Sequence, residues 1–295
     1  VLDYRHMSCM TPIPLKLDGL NDSEGYRMTN FPCGRCPNCV KRRASGWTFR
    51  LLEEQKVSYS SNFLTLTYDD KHLNYTDSGL MTLNVKDHQE FMKNLRHHCK
   101  RKYNWDLSLR FYCVGEYGSK TQRPHFHYVM FNLPDELQRA YFDEDQKRLV
   151  PPIEAIWKKG ACHIGNVNIK SIRYVAGYLQ KNIKQDRTHT NDDRKDEFNV
   201  MSNGLGLSYL TPAKVEYYAK KLEPYLTLEG GQKISMPRYY KDKIFSPLEK
   251  IMLSTKAYEY YVEKRRDISD RQLREIIKHA FSKRDRDNAL KRQTL

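Results

Sequence analysis

The sequence is short of acidic residues and of long apolar runs. Its 295 residues include 36 Asp and Glu against 51 Lys and Arg, so the formal net charge is +15 at pH 7. No apolar run approaches the ~20 residues of a membrane-spanning helix, and the N-terminal residues lack the apolar core of a signal peptide. We therefore expect a cytoplasmic protein without a membrane partner.

A phosphate-binding loop is also missing. No Gly-x-x-x-x-Gly-Lys-Ser/Thr motif occurs anywhere in the chain, and such a loop is what cradles nucleotide phosphates in helicases. We expect any DNA unwinding to come from a separate helicase. The large positive charge, in a chain that is 39% hydrophobic and 12% aromatic, is typical of a folded protein that binds a polyanion such as nucleic acid.

Cysteine is present in an odd number, seven residues in all, and three of them form a tight cluster. Cys33, Cys36 and Cys39 have metal-ligand spacing, and Cys9 could complete a Cys₄ zinc site. Two alternatives stay open at this stage. The cysteines could be reduced thiols in a tight turn, or they could hold an iron–sulfur cluster.

The apolar periodicity predicts four segments. Residues 1–39 form a Cys-rich, irregular N-terminal segment, and residues 40–184 form an α+β core with an antiparallel sheet of about five strands backed by helices. Residues 185–236 are predicted as a loop with a short helix, and residues 237–295 as a basic region of two helices.

Two histidines alternate on one predicted strand, in the sequence Arg123-Pro-His-Phe-His-Tyr128. Residues two apart in a strand point to the same face, so His125 and His127 are predicted to project side by side. Glu116 lies at the end of the preceding strand, and a hairpin would bring its carboxylate to the histidines. Such a site suits Mg²⁺ or Mn²⁺. The alternatives are two ordinary histidines and an exposed turn carboxylate.

Two tyrosines and a lysine share one face of a predicted helix. Tyr174, Tyr178 and Lys181 have i, i+4, i+7 spacing. A phenol beside a metal-bound phosphate can act as a nucleophile, since the ion draws charge from the phosphodiester. The alternative is a pair of tyrosines that pack at the edge of the helix.

Basic residues interleave with aromatic residues near the C-terminus, as in Arg238-Tyr239-Tyr240-Lys241. Such segments can neutralise phosphates and stack exposed bases. We predict that these four residues, together with Arg123, contact DNA. The alternative is a solvated basic helix face with its tyrosines in the core.

The order of these motifs resembles that of HUH endonucleases, which initiate rolling-circle replication. It runs from Phe63-Leu-Thr-Leu-Thr67 through Glu116 and His125-Phe-His127 to the tyrosine pair. The segments Pro32–Cys39, Leu64–Asp70 and Pro237–Lys243 further resemble the replication initiators of gokushoviruses, a group of small single-stranded DNA phages. This resemblance covers the chain from about Cys9 to about Phe245.

The resemblance implies a ferredoxin-like or RRM-like palm and a metal-dependent DNA endonuclease and strand transferase of the two-tyrosine type. His125, His127 and Glu116 match the metal ligands, and Tyr174 and Tyr178 match the nucleophiles. One tyrosine would nick the origin, forming a 5′-phosphotyrosine and a free 3′-hydroxyl, and the second would allow the displaced circle to be rejoined. Lys181 would neutralise phosphate charge or orient a tyrosine.

The implied partners are single-stranded and replicative-form phage DNA at the origin, with a host helicase and DNA polymerase, in the host bacterial cytoplasm. Two other functions remain open from the sequence. One is a non-catalytic, zinc-containing nucleic-acid-binding protein. The other is a relaxase or transposase of a mobile element, which shares the chemistry but not the biological role.

Overall fold

A computed structural model describes residues 9–18, 26–178, 192–263, 266 and 268–293 of the chain. The strands of these residues are β1 (Ile13–Asp18), β2 (Tyr26–Phe31), β3 (Ser61–Thr67), β4 (Asn74–Tyr75), β5 (Met81–Thr82), β6 (Arg110–Tyr117), β7 (Pro124–Phe131), β8 (Tyr141–Asp143), β9 (Arg148–Val150), β10 (Cys162–Asn166), β11 (Phe198–Met201), β12 (Tyr225–Thr227) and β13 (Lys233–Ser235).

The α-helices of the described residues are α1 (Pro37–Val57), α2 (Val85–Tyr103), α3 (Asp135–Gln138), α4 (Glu154–Trp157), α5 (Ile169–Gly177), α6 (Pro212–Lys221), α7 (Arg238–Ile244), α8 (Pro247–Glu263) and α9 (Asp270–Gln293). Each of these helices is too short or too polar to cross a lipid bilayer.

The described residues form two compact units. The first combines residues within Val1–Trp47 and Tyr209–Lys291, and the second lies within Thr48–Ser208. The first unit therefore joins the two ends of the chain, which the sequence analysis treated as separate segments.

The second unit is built on a five-stranded antiparallel sheet in the order β10-β3-β7-β6-β11. This confirms the predicted α+β class with an antiparallel sheet and helices. The fifth strand, β11, comes from the stretch predicted as loop and helix after residue 184. Its four residues are all partly exposed, so their pattern carries little of the apolar signal that marks a strand.

One face of the sheet packs against α2 and α4. Alternate residues of β3, β6 and β7 supply this core, and they meet Phe91, Met92 and Leu95 of α2 and Trp157 of α4. Helix α2 begins where Asn84 caps it, since the Asn84 side chain accepts a hydrogen bond from the Lys86 N–H. The cap is the one predicted from sequence.

The opposite face of the sheet carries the other alternate residues, and α5 packs over it. Helix α5 begins with a capping box in which Asn168 and Ser171 exchange side-chain to backbone hydrogen bonds. Its buried residues are Ile172, Val175 and Ala176. The sequence predicts this helix over residues 172–184; it begins three residues earlier, and residues 179–184 lie outside the described part.

A buried ion pair fixes the loop after β11 within the second unit. Glu54 of α1 pairs with Arg110 of β6 and accepts a hydrogen bond from the Gly206 N–H at 2.8 Å. Arg50 donates to the Leu205 carbonyl oxygen at 2.9 Å. Because Glu54 is buried and charged, the partners that satisfy it fix the loop.

Two predictions for the chain ends are wrong. The N-terminal segment is not wholly irregular, because β1 and β2 pair as an antiparallel hairpin in the first unit. Residues 237–295 contain three described helices rather than two. Phe245 ends α7 in an extended conformation, and Ser246 and Glu249 then cap one another at the start of α8.

Gly160 is the position where the backbone of the second unit is most crowded. Its φ is +147°, and a Cβ atom there would lie 2.4 Å from the Thr67 carbonyl oxygen and 2.5 Å from the Asp69 nitrogen. We expect Gly160→Ala to lower the free energy of unfolding by about 3 kcal/mol or more, since backbone rather than a flexible side chain must move. Urea denaturation measures this change.

Gly79→Ala is the matched control. Gly79 also has a positive φ, +76°, but an added Cβ would meet nothing within 4 Å. The control therefore reports backbone strain alone, about 1 to 2 kcal/mol. Equal losses in the two variants would contradict the predicted clash.

Candidate active site

The sheet register brings the predicted metal ligands together. Glu116 of β6 lies directly opposite His125 of β7, and Thr65 of β3 lies opposite His127. All four residues occupy the face that α5 covers. Glu116 is a strand residue rather than part of the turn, so the hairpin register itself sets its distance from the histidines.

Both imidazoles point an Nε2 atom at one carboxylate oxygen. Glu116 Oε1 lies 2.8 Å from His125 Nε2 and 3.0 Å from His127 Nε2. One ligand atom from each of the three residues lies within 4.8 Å of the others. Glu116 is buried and His125 is partly exposed, so the group is reachable from solvent on one side.

Hydrogen bonds to the other ring nitrogens orient the histidines. His125 Nδ1 lies 3.1 Å from the Arg123 carbonyl oxygen, which can only accept, so Nδ1 carries the proton. His127 Nδ1 lies 3.0 Å from Thr65 Oγ1. A second hydrogen bond of this kind is how metal-ligating histidines are normally held.

This arrangement calls for a cation. With its proton on Nδ1, a neutral His125 presents the lone pair of Nε2 to the Glu116 carboxylate, and the two repel unless a proton or a metal ion lies between them. Burial alone would raise the pKa of Glu116, but hydrogen bonds from His125 and His127 outweigh it and lower the pKa to about 2. The carboxylate is therefore ionised, and two nitrogens with one oxygen suit a divalent ion.

Both predicted nucleophiles lie against this group. The rings of Tyr174 and Tyr178 meet edge-on with centroids 4.7 Å apart, and each ring also contacts His127, at 5.4 and 6.1 Å. Tyr174 donates a hydrogen bond to Glu116 Oε1 at 3.4 Å. Phe63 of β3 stacks on His127 and meets Tyr174 edge-on, which completes the packing around the imidazole.

The two phenols differ in exposure. Tyr178 is 2% exposed, whereas Tyr174 is only partly buried. Burial, followed by the charge of Glu116, raises the pKa of Tyr174 to about 12, and the same two causes raise the pKa of Tyr178 further. Without a cation on Glu116, neither phenol loses its proton near neutral pH. Lys181, the third residue of the predicted face, lies outside the described residues.

The site also uses residues that the sequence analysis did not assign. Thr65 and Phe63 contact His127, and the Arg123 backbone holds His125. One sequence signal could have identified the first two residues. Phe63, Thr65 and Thr67 alternate along β3, on the face opposite the buried Leu64 and Leu66, so they share the face of the histidines.

The four clustered cysteines also come together, in the first unit. One sulfur from each of Cys9, Cys33, Cys36 and Cys39 lies within 4.8 Å of the others. The hydrogen bond with Cys39, the largest cause, lowers the pKa of Cys36 to about 4, and the same bond raises the pKa of Cys39. The remaining cysteines, at positions 99, 113 and 162, are buried in the second unit, as the sequence predicts.

The predicted DNA-binding residues have different environments. The Arg123 side chain is bound to the Tyr68 carbonyl oxygen and to Asp70, at 3.0 and 2.5 Å. The Arg238 side chain is 93% exposed. Tyr240 is fully buried and stacks on Tyr209, so the idea that this ring stacks a DNA base does not fit the structure.

The other two members of this set have cationic neighbours. Lys243 lies 5.2 Å from the centre of the Tyr239 ring. Burial, with a smaller contribution from the positive charge of Arg42, lowers the pKa of Lys241 to about 8. Of the predicted set, Arg238 has the side chain most clearly open to a DNA phosphate.

Comparison with known proteins relates the chain to phage replication proteins. The family model for replication-associated proteins of the ORF2 type matches residues 61–183, a range that begins at β3 and contains the Glu-His-His group and both tyrosines. No solved structure matches the chain.

Three curated relatives agree with the family model. Replication-associated protein ORF2 of Spiroplasma virus 4 is 29% identical over 254 residues, which are 84% of this chain and 77% of that protein. Replication-associated protein VP4 of Bdellovibrio phage phiMH2K is 28% identical over 253 residues, covering 80% and 76%. Replication-associated protein ORF4 of Chlamydia phage 1 is 26% identical over 235 residues, covering 75% and 56%.

The relatives span most of the chain, and the family model spans the strands and the helix that carry the candidate site. They confirm the resemblance to gokushovirus replication proteins that the motifs indicated. The chain belongs to the ORF2 family of phage replication-associated proteins.

Proposed function

We propose that this protein is a metal-dependent, tyrosine-nucleophile nickase and strand transferase that acts at the replication origin of a phage genome. The observation that carries the proposal is the placement of two phenols against an ionised Glu-His-His group. Membership in a family of phage replication proteins supports origin DNA as the substrate. A host helicase and polymerase would supply unwinding and synthesis.

Glu116, His125 and His127 would hold the divalent ion, Mg²⁺ or Mn²⁺. Such an ion polarises a phosphodiester oxygen and offsets the charge that develops as phosphorus is attacked. The Arg123 carbonyl and Thr65 keep the histidine protons on Nδ1, so both Nε2 atoms remain available as ligands. Oxygen and imidazole ligands favour these ions over softer ones.

The chain's own nucleophile is a tyrosine hydroxyl. In the first step an O–P bond forms between the phenol and the scissile phosphate, and the P–O3′ bond breaks. The phenol loses its proton and the leaving 3′-oxygen gains one, so charge is conserved. The products are a 5′-phosphotyrosine and a free 3′-hydroxyl. Attack by another 3′-hydroxyl reverses the chemistry and joins two DNA ends without nucleotide hydrolysis.

We assign the first cleavage to Tyr174. Its side chain is more exposed than that of Tyr178, and its hydroxyl lies 3.4 Å from the Glu116 carboxylate oxygen. A cation at Glu116 would offset the charge that raises the pKa of Tyr174 to about 12. Tyr178 sits deeper, one helical turn away on the same face, and would cleave the regenerated origin after one round of synthesis.

Metal binding gives the first prediction. We expect Mn²⁺ to stabilise the protein by about 2.7 kcal/mol at a free concentration 100 times Kd, measured by denaturant unfolding with and without the ion. Glu116→Gln should remove this stabilisation. Thr65→Val, which removes the partner of His127 Nδ1, should weaken Mn²⁺ binding by about 10- to 100-fold.

The control for metal binding is Glu136→Gln, which removes an exposed carboxylate of α3. It should leave the Mn²⁺ stabilisation unchanged. Equal Mn²⁺ stabilisation in the Glu116→Gln variant would place the ion elsewhere.

Covalent chemistry gives the second prediction. Purified protein, labelled single-stranded origin DNA and Mn²⁺ should give a protein–DNA adduct on a denaturing gel, because the tyrosine becomes esterified to the 5′-phosphate. EDTA should abolish the adduct, as should the double variant Tyr174→Phe/Tyr178→Phe. Tyr75→Phe, a change at an exposed tyrosine of β4, should form the adduct normally.

Tight binding of several origin DNAs without any adduct, with Mg²⁺ as well as Mn²⁺, would overturn the nickase proposal. It would favour a non-catalytic nucleic-acid-binding protein. An adduct that survives in the double tyrosine variant would instead mean that another nucleophile acts.

The order of the two tyrosines gives the third prediction. In single-turnover cleavage, Tyr174→Phe should slow the first nick by about 100-fold or more, since the remaining phenol is buried. Tyr178→Phe should change that rate by less than about threefold but block release of a joined circle. The reverse pattern would assign the first cleavage to Tyr178.

A further inference from the structure

We infer that Cys9, Cys33, Cys36 and Cys39 bind one structural zinc ion, and that this zinc site holds the C-terminal helix α9 to the N-terminal cysteine loop. The inference concerns the first unit and does not depend on the proposed nickase function. It separates the three alternatives that the sequence leaves open for the cysteines.

The sulfur positions fit one tetrahedral ion. A zinc ion with Zn–S bonds of about 2.3 Å holds its sulfurs about 3.8 Å apart. The Sγ atoms of Cys9 and Cys36 are 3.9 Å apart, and all four sulfurs lie within 4.8 Å of one another. A disulfide needs about 2.05 Å, and the four cysteines are free thiols. Thiolates select zinc over Mg²⁺ and Mn²⁺.

Backbone N–H groups are aimed at the sulfurs. Cys33 N–H donates to Cys9 Sγ at 3.2 Å, Cys36 N–H to Cys33 Sγ at 3.3 Å, and Met10 N–H to Cys36 Sγ at 3.4 Å. A neutral thiol is a weak acceptor, whereas a thiolate is a strong one. Three N–H donors that converge on three sulfurs therefore favour the thiolate form that a metal requires.

The turn between Cys33 and Cys36 depends on Gly34. Its φ of +75° lies in the left-handed region that favours glycine. This turn brings the Cys36 N–H to Cys33 Sγ while α1 begins at Pro37, so Cys39 lies in the first turn of the helix. The Cys33–Cys39 spacing thus places one ligand before the turn and two after it.

Arginines surround the cluster and suit its charge. Four thiolates around Zn²⁺ carry a net charge of −2, which is costly to bury without nearby cations. Arg42 lies 3.8 Å from Cys39 Sγ, and Arg43 donates to the Gly34 carbonyl oxygen at 3.3 Å. Arg284 of α9 donates to the Arg35 carbonyl oxygen at 3.1 Å.

Helix α9 covers the cluster from the other end of the chain. Ile277, Ala280 and Phe281 pack against the cysteines and Met10. These contacts and the Arg284 hydrogen bond join residues about 250 positions apart in sequence. The cysteine loop has few other apolar residues, so the metal would supply the rigid surface on which α9 rests.

Metal analysis of the purified full-length protein tests the zinc site. We expect one zinc per chain that survives dialysis, and its loss in the Cys36→Ser variant. Replacement by Co²⁺ should give the intense visible absorption of a tetrahedral tetrathiolate site. The control is Cys162→Ala, which changes a buried cysteine outside the cluster and should retain its zinc. A protein without bound metal, one with iron in place of zinc, or one with disulfides among these cysteines would overturn the inference.

Hydrogen exchange of the same full-length protein tests the structural role. Removal of zinc with a thiol reagent that releases the ion should lower the protection of amides in α9 by about 10-fold or more, which is about 1.4 kcal/mol. Protection in strands β3, β6 and β7 should not change. Unchanged protection in α9 after complete zinc release would contradict the proposed role of the site.

Discussion

The pairing register of strands β3, β7 and β6 determines the candidate active site. It sets Glu116 against His125 and Thr65 against His127, so the carboxylate and both imidazoles meet on one face. A slip of one residue would send every side chain of the moved strand to the opposite face. The buried residues on the other face, which pack on α2, hold the register because a slip would expose them. The core thus fixes the chemistry.

The electrostatics of this site follow from the same pairing. An ionised carboxylate faces two imidazole nitrogens, and the second nitrogen of each ring has its own partner. Such a group is balanced when it holds a cation. The neighbouring phenols are kept protonated by burial and by the charge of Glu116. A divalent ion would therefore serve two purposes, since it would balance the carboxylate and make a phenol easier to ionise.

The sequence predicted the site better than it predicted the outer parts of the fold. Alternation along β7 identified the shared face of His125 and His127, and helical spacing placed Tyr178 beside Tyr174. These are local signals with strict periods. Long-range pairing has no such signal, so β11 and the union of the two chain ends in the first unit were not predicted. Burial of Tyr240 was also missed, because an aromatic residue in a basic segment can face either way.

The central claim is that a phenol of α5 or its C-terminal cap attacks DNA. Mass spectrometry of the trypsin-digested covalent adduct tests it most directly, by locating the residue that carries the nucleotide. The account predicts that the label lies on the peptide beginning at Tyr174 and ending at Lys181, which contains both tyrosines, and that fragmentation assigns it to Tyr174 after a first nick. A nucleotide on any other peptide would contradict the account.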